Sequence, residues 1–446
     1  MKFGGLRLKK FFGAVFLSTM LFANTVSAEE IPRGEMIDKD SIGAAFAAEE
    51  INHADSIYFE EPDFYNMEST ENKIILPQYP TYQQTTEYSC GPASALTVLY
   101  YYGNKNFDEK TLMEKMKTQG YPIGTNTENM ANFFESIGWH VESSLNAEKH
   151  FDEYEDFQSF VWDNLEQGTP IMVENVEWGG HWRVIIGYDT MGTEDTLDDV
   201  LIFADPYDTS DHKQDGYAFG NSYRFFSMWF DHATLPENER EQPFIIARPK
   251  TIIESTPELP NILAKTKTAK ETEQIILVVG DNLSFWNKEN SKWKMSLQSH
   301  CGYGQAGISF EKVEGDMKTP AGSFPVMYAF GFDKKIDTPM KYRQVTQNTT
   351  FSSRQDETYN TWQEVKGRGT MIKNYQFKYG MVIGYNMNPI IQGKGSGIFL
   401  HCRNYNHWWS HGCVTVPQKI MIDILKQSKN NLRIMIANSI SDVETF

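Results

Sequence analysis

Residues 251–273 are rich in Thr, Lys, Glu and Pro and carry no apolar period, and they divide the chain into two long stretches that each have one. A sequence divided this way folds around two cores rather than one. At 446 residues there is enough chain for both. The expected layout is a signal peptide over 1–28, an acidic leader or linker over 29–74, a first domain over 75–250, a linker over 251–273 and a second domain over 274–446.

The first of these segments rests on charge and hydropathy. Lys2, Arg7, Lys9 and Lys10 form a positive start, Phe11 to Asn24 is mostly apolar, and Val26-Ser27-Ala28 offers small residues for cleavage. The apolar run is short for a membrane span, so export with removal of the segment is expected, and no membrane contact after it. The chain carries a formal net charge of −18, and losing four basic residues brings it to −22. Nucleic acid is excluded as a partner, because phosphates must be met by Lys and Arg. An anionic cell surface would repel the protein weakly over about 8 Å at physiological salt, so specific contacts must bring it to its substrate.

There are four cysteines, Cys90, Cys301, Cys402 and Cys413. They are too sparse for a disulfide scaffold. Cys301 and Cys402 read as structural, and a bond between them would leave the other two free.

Cys90 opens a reactive context. Ser89-Cys90-Gly91-Pro92 leads into the apolar run Ala95 to Tyr102, closed by Gly103, which predicts a helix beginning at the thiol. The positive partial charge of a helix N-terminus favours a thiolate. Downstream, Pro170 to Val176 and Val184 to Tyr188 read as strands joined by a tight turn, with His181 entering the second. A third strand, Val200 to Ala204, ends in Asp205-Pro206. Neighbouring strands would set His181 beside Asp205, facing the thiol, as base and orienter. Taken together, a Gln six residues before Cys-Gly-Pro, then Gly-His-Trp, then Asp-Pro, resembles the papain-like cysteine peptidases, nearest the branch that trims double-glycine leaders from bacteriocins. The resemblance spans roughly residues 75–248. It implies Gln84 as oxyanion-hole residue, Cys90 as nucleophile, His181 as base and Asp205 as orienter. The peptide substrate stays open, as does the alternative of a binding domain that has lost activity.

The second stretch concentrates its chemistry between Gly397 and Pro417. Ile398 to His401 reads as a buried strand, and Ser410-His411-Gly412-Cys413 as a turn into another. His401 and Cys413 are expected to pair across a hairpin, giving a thiol–imidazole couple. Gly412 removes bulk where a carbonyl must approach, and backbone N–H groups around Gly412 and Cys413 would form an oxyanion hole. With Thr319-Pro320-Ala321-Gly322-Ser323-Phe324 and Gly393 to His401, this element resembles the L,D-transpeptidases of the YkuD type over about 274–437. The resemblance implies a mostly antiparallel β-sandwich, His401 as general base, Cys413 as acylated nucleophile, and Ser410, His411 and Gly412 as active-site scaffold. The family commonly has Arg two residues after the Cys, where this chain has Thr415, and the run from His401 to Ser410 is shorter than in many members.

His401, Cys402, His407, His411 and Cys413 are zinc-ligand types, but no Cys-x-x-Cys or His-Glu-x-x-His spacing is present, so neither a metal nor another cofactor is expected. Trp408-Trp409 suits stacking on glycan rings or plain packing. The reading is an α+β chain, a papain-like domain followed by the β-sandwich domain. Its function is a secreted cysteine-dependent L,D-transpeptidase with peptidoglycan stem peptides as partner. The alternatives are an L,D-carboxypeptidase, another wall or peptide hydrolase, or a binding protein with an inactive peptidase-like domain. A surface adhesin on two decayed folds is disfavoured by the retention of both thiols and both histidines.

Overall fold

The structure, a computed structural model, describes residues 34–38, 40, 62–145, 150–209 and 213–446. The expected signal peptide lies outside the described residues, as does most of the acidic leader. No helix among the described residues is long and apolar enough to cross a membrane.

The first half is built on a seven-stranded sheet, antiparallel throughout. Its strands are β1 (Lys73–Ile75), β2 (His140–Ser143), β3 (Ile171–Asn175), β4 (His181–Asp189), β5 (Val200–Ala204), β6 (Tyr217–Asn221) and β7 (Phe244–Arg248), in the order β2-β7-β3-β4-β5-β6 with β1 added to β4. The central strand β4 is buried along nearly its whole length, as its unbroken Trp-Arg-Val-Ile-Ile run suggests. Helix α1 (Cys90–Tyr101) lies against it, with Ser94 Oγ donating to the Trp182 carbonyl at 3.1 Å. Ten of its twelve residues are buried, so it is a core helix with no polar face over most of its length. Gly103, at φ +77°, ends it in the left-handed turn that glycine accommodates. Helices α2 (Glu109–Lys115), α3 (Thr127–Ser136) and α4 (Tyr154–Glu166) complete the layer with Leu112, Phe133, Phe134, Phe157 and Val161. A short helix α5 (Ser222–Ser227) follows β6.

The second half is a curled, mostly antiparallel sheet of nine strands. β8 (Gln274–Val279), β9 (Asn282–Glu289) and β10 (Lys292–His300) form a meander. A parallel pair, β11 (Ile308–Ser309) and β12 (Thr319–Pro320), precedes the long strand β13 (Gly322–Gly331). The first half of β13 pairs with β20 (Arg433–Ala437) and the second half with β17 (Tyr379–Ile383). One strand thus belongs to both leaves, and the sheet folds over on itself. Ile276, Val278, Leu283 and Phe285 of one leaf meet Met381, Ile383, Leu400, Val414 and Val416 of the other in one core. Short β14 (Tyr342–Gln344) joins β13, and the hairpin β15 (Thr349–Ser352) and β16 (Thr361–Glu364) stands apart. β18 (Phe399–Cys402) and β19 (Val414–Val416) finish the second leaf.

Residues 251–273 run between the sheets but are not bare connector. Helix α6 (Leu259–Lys265) buries Leu259 and Leu263, with Ile253 and Ala269, against Ile275, Leu277, Trp286 and Met435 of the second sheet. Four well-spaced apolar residues suffice for this in a stretch that is otherwise polar. Helix α7 (Gln418–Gln427) and the short α8 (Ile440–Val443) cover the remaining faces. The halves touch through Ser69 N–H to Asn406 Oδ1 (2.7 Å), through Gln167 Oε1, which accepts from Ser299 Oγ and His300 N–H (3.0 and 3.1 Å), and through the Asp163–Lys419 ion pair.

Candidate active sites

Cys90 is the first residue of α1 and is 8% exposed. Before it, Ser89 Oγ accepts from Thr86 Oγ1 at 2.7 Å and pins the loop that delivers the thiol. His181 opens β4 after a turn with three successive positive φ values: Trp178 (57°), Gly179 (86°) and Gly180 (119°). A Cβ at Gly180 would lie 2.5 Å from Asp231 Oδ2, so both conformation and space demand glycine there. His181 Nε2 meets Asp205 Oδ1 at 2.7 Å across the β4–β5 ladder, and the Cys90 thiol lies near enough to the same ring to influence its charge. Asp205 Oδ1 also accepts from Tyr207 N–H at 2.8 Å, and Arg183 Nη1 stands 3.7 Å from Oδ2.

The electrostatics follow from these contacts. Burial opposes a charged His181, but the Asp205 carboxylate and the Cys90 thiol outweigh it and push the imidazole up to about 9. Asp205 is also fully enclosed, yet His181, Arg183 and the Tyr207 N–H hold it below the usual carboxylate range. At neutral pH the pair is imidazolium and carboxylate.

Gln84 is buried, with Nε2 donating to the Thr86 carbonyl at 2.7 Å and Oε1 without a hydrogen-bond partner among the described residues. Its backbone N–H reaches the Pro206 carbonyl at 2.9 Å and ties the Gln84 loop to the Asp205-Pro206 turn. One donor of the amide is therefore engaged locally, and the other remains for a ligand. Two groups here were not legible beforehand. Arg183 braces Asp205 and also reaches Asn175 and Glu177. Glu174, 3% exposed on β3, has its carboxyl raised well above its usual value by burial, by the nearby Cys90 and by a hydrogen bond with Asp231. A glutamate in Ile-Met-Val-Glu-Asn gives no sign of facing inward.

In the second half, β18 and β19 are parallel, with Leu400 opposite Val414 and His401 opposite Thr415. The expected hairpin is not formed. The chain from Arg403 to Ser410 loops out and is stitched to the segment after β10 by bridges between Gly302 and Thr415 and between Gly304 and Ser410, so Cys413 returns in the same direction as β18. Gly412 has φ +131°, and a Cβ there would come 2.8 Å from the Lys318 carbonyl. Ser410 Oγ clamps the turn, accepting from Gly412 N–H (3.0 Å) and donating to the Cys413 carbonyl (2.6 Å). Thr319 Oγ1 reaches the same carbonyl at 3.3 Å, which explains why a Thr-Pro pair so far upstream belongs with the cysteine. Gly412 N–H is thus engaged by Ser410 rather than free for an oxyanion. No backbone carbonyl among the described residues accepts from the Cys413 N–H, which leaves that group as the donor.

Cys413 is half-buried. Its Sγ accepts from Phe399 N–H and faces the Gly397 carbonyl, each at 3.4 Å, and it makes no hydrogen bond to His401. His401 is 4% exposed and donates from Nδ1 to the Cys402 carbonyl at 2.8 Å, so Nε2 is the bare, basic nitrogen. Burial pushes His401 down to about 4 and Cys413 up to about 12, with the Phe399 N–H and the Lys312 charge pulling the thiol the other way. Both groups are neutral at pH 7.

Around them, Trp408 packs between the Arg403 guanidinium (4.5 Å) and the His300 ring (4.2 Å), while Trp409, 39% exposed, stacks on His407 at 3.9 Å and faces His411 at 6.0 Å. The second tryptophan has the larger surface to offer a ligand, and the first is only half-buried. Thr415 is buried, with Oγ1 on the Trp408 carbonyl at 2.6 Å and Gly302 pressed against it, which leaves no room for an arginine. Cys301 and Cys402 are free and buried, each against a different carbonyl, Gly280 and Tyr379, so they form no disulfide. Among the described residues, no group of His, Cys, Asp and Glu is gathered to hold a metal ion.

Comparison with known proteins places this geometry. Residues 76–228 match the Peptidase_C39 like family and residues 273–436 the YkuD family, the L,D-transpeptidase catalytic domain. Among solved structures, the helical cell shape determining protein Pgp2 of Campylobacter jejuni is 16% identical, over 37% of this chain and 48% of that one (TM-score 0.24). The peptidase domain of Streptococcus mutans ComA is 14% identical, over 38% and 98% (TM-score 0.20). An Enterococcus faecium L,D-transpeptidase is 17% identical, over 37% and 50% (TM-score 0.19). The chain spans about half the length of the first and the third. No curated protein matches it. The two matches lie one in each half of the chain, a peptidase-like stretch followed by an L,D-transpeptidase catalytic-domain stretch.

Proposed function

We propose that the chain is an exported two-domain enzyme of the bacterial wall, with domains at 75–250 and 274–446, whose second domain performs L,D-transpeptidation through Cys413. The observation that carries this reading is the Cys413 turn itself. A half-buried sulfur stands at the mouth of β19, with Ser410 and Thr319 holding its carbonyl and its own N–H open. His401, one strand away, has Nδ1 engaged and Nε2 bare.

In this mechanism the stem-peptide carbonyl docks with its oxygen on the Cys413 N–H. His401 Nε2 takes the thiol proton as Sγ attacks, and then gives it to the departing amine. A C–S bond forms and a C–N bond breaks. An amine from a second stem then attacks the thioester, loses its proton to His401 and frees the thiol. Because thiol and imidazole both start neutral, proton transfer accompanies attack instead of preceding it. His411 and Trp409 flank the entrance, where a glycan or stem can lie.

The first domain acts as a peptidase in this reading. Cys90 is the nucleophile, His181 the acid–base group, Asp205 its orienter, and the free donor of the Gln84 amide the oxyanion contact.

The deciding experiment is mass spectrometry of tetrapeptide muropeptides incubated with the full chain and with Cys413→Ala. Cross-linked products or an acyl-enzyme adduct that the variant lacks are expected. Release of the terminal residue without cross-links would make the enzyme an L,D-carboxypeptidase. Equal processing by the variant would remove Cys413 from the chemistry.

A further inference from the structure

The sulfur of Cys413 faces the carbonyl of Gly397, the last residue of a turn in which Gly393, Gly395 and Gly397 all have positive φ. Under that turn lies Lys312. A Cβ at Gly395 would sit 3.2 Å from both Cγ and Cε of the lysine, so the backbone rests directly on its side chain. The Lys312 side chain is 3% exposed, and lysine is rarely buried so completely. Its Nζ donates to Asp316 Oδ1 at 2.6 Å and to the Val313 carbonyl at 3.0 Å. Asp316 also accepts from the Val313 and Lys318 N–H groups, at 2.9 Å each. Next in the chain after Lys318 is Thr319, whose hydroxyl touches the Cys413 carbonyl. The ion pair therefore meets the nucleophile from two sides, through the Gly395–Gly397 turn and through Thr319. Because Asp316 divides its charge among three donors, the ammonium is only partly neutralised.

We propose that Lys312 is a positioning residue of the Cys413 site: its fixed charge, buried beneath the Gly395–Gly397 turn, stabilises the negative charge that gathers on Sγ and on the carbonyl oxygen it attacks. The proposal rests on Cys413 being the nucleophile. The need arises because His401 is neutral and makes no hydrogen bond to the sulfur, so the usual imidazolium partner is missing. Glu314, Tyr385 and His411, which stand around the same turn, do not supply it, and Lys394 in the turn is exposed to solvent. Glu314 has the opposite sign, and its oxygens are taken by Tyr359 OH and Ser396 Oγ. Tyr385, packed under Gly395, donates its hydroxyl to the Lys394 carbonyl, and His411 stacks outward on Trp409. The lysine charge also pulls the thiol in the direction of ionisation. In a poorly solvated site such a charge acts over several ångströms.

The test uses the full chain and iodoacetamide, with alkylation of each cysteine followed from pH 6 to 10 by peptide mass spectrometry. Lys312→Met is expected to move the Cys413 profile up by about one pH unit, about tenfold slower on the rising limb, while Lys312→Arg stays within about twofold of the parent. Asp316→Asn keeps the ammonium and removes its counter-charge, so its profile should move down. Cys301 and Cys402, buried in the second half, stay protected while that half is folded and report its integrity, and Cys90 in the first half should keep its rate throughout. A purely structural ion pair would make the Met and Asn variants shift alike, or change rates without moving the profile, and either result overturns the proposal. Alkylation reads the sulfur alone, so the muropeptide assay with Cys413→Ala decides separately whether that sulfur is the nucleophile.

Discussion

Cys90 and Cys413 each stand near a histidine held at the end or start of a strand, and the two environments leave those histidines in opposite states. At the first site a buried carboxylate, itself braced by Arg183, keeps the imidazole charged up to about pH 9. At the second, the ring's partner is a backbone carbonyl, which fixes the tautomer but supplies no charge, and burial drives the ring to about 4. The residue types are the same, but the third member of the group differs, a carboxylate against a carbonyl. That third member decides whether the histidine is already charged when the substrate arrives. A charged imidazole beside the thiol suits rapid attack on whatever peptide enters. A neutral pair stays inert toward stray electrophiles until a bound carbonyl begins to develop charge.

The sharpest break between the sites would come from single substitutions. Cys413→Ala should abolish muropeptide processing and leave peptide cleavage by the first domain intact, and Cys90→Ala should do the reverse. If either variant loses both activities, the sites are not independent. Next in size is thiol reactivity. With its thiol pushed up to about 12, Cys413 should alkylate about a thousandfold more slowly at pH 7 than an unstructured thiol peptide, and should gain about tenfold per pH unit up to pH 10. A Cys413 that alkylates as fast as the unstructured thiol peptide would dissolve the contrast.

A smaller effect should appear in stability against pH, with opposite signs in the two halves. His181 binds its proton more tightly when folded, so the stability it contributes is complete below pH 6.5 and is lost as pH rises through about 9. His401 resists its proton when folded, so its contribution is present above pH 6.5 and is lost as pH falls through about 4. Thermal unfolding of the parent, His181→Asn and His401→Asn at pH 4.5, 6.5 and 9 should assign the alkaline loss to the first variant's position and the acid loss to the second's. Identical pH dependence in all three would show that other groups dominate. The smallest change expected is at Ser410. Ser410→Ala removes the clamp on the Gly412–Cys413 turn at about 1–2 kcal/mol, and should slow the second site while urea midpoints of the first half stay put.

Much of this was legible because the informative residues are close in sequence. Ser89-Cys90-Gly91-Pro92 announces its helix, Gly179-Gly180-His181 its turn and strand, and Ser410 to Cys413 its tight loop, each through local backbone preference. What escaped depends on distant partners. The parallel pairing of β18 with β19 is imposed by Gly302 and Gly304, more than a hundred residues upstream of Cys413, and a short loop between apolar runs looks like a hairpin without them. Arg183, Glu174 and Lys312 are charged residues that the fold turns inward, and nothing in their neighbours signals it. The polar run 251–273 buries four apolar side chains because one face of the second sheet, on β8, β9 and β20, is apolar and waits for them.

The pairing of β8 with β20 has a consequence for how the molecule comes into being. β8 opens the second domain and β20 nearly ends it, yet Ile275 to Val279 lie beside Arg433 to Ala437 in parallel register. Joining strands more than 150 residues apart in sequence must overcome a large loop-closure entropy and is slow. Since β20 also holds the first half of β13, the two leaves are joined only through this strand. The first sheet, closed by β7, needs nothing beyond Arg248 and can be complete while the rest of the chain is still being made. Assembly order is thereby written into strand order: the sheet beside Cys90 needs the chain only to Arg248, and the sheet that holds Cys413 is complete only once Ala437 is in place. A chain cut short before Arg433 would carry a sound first half and, in the second, the pairings of β13, β17, β18 and β19 without the strand that joins them to β8.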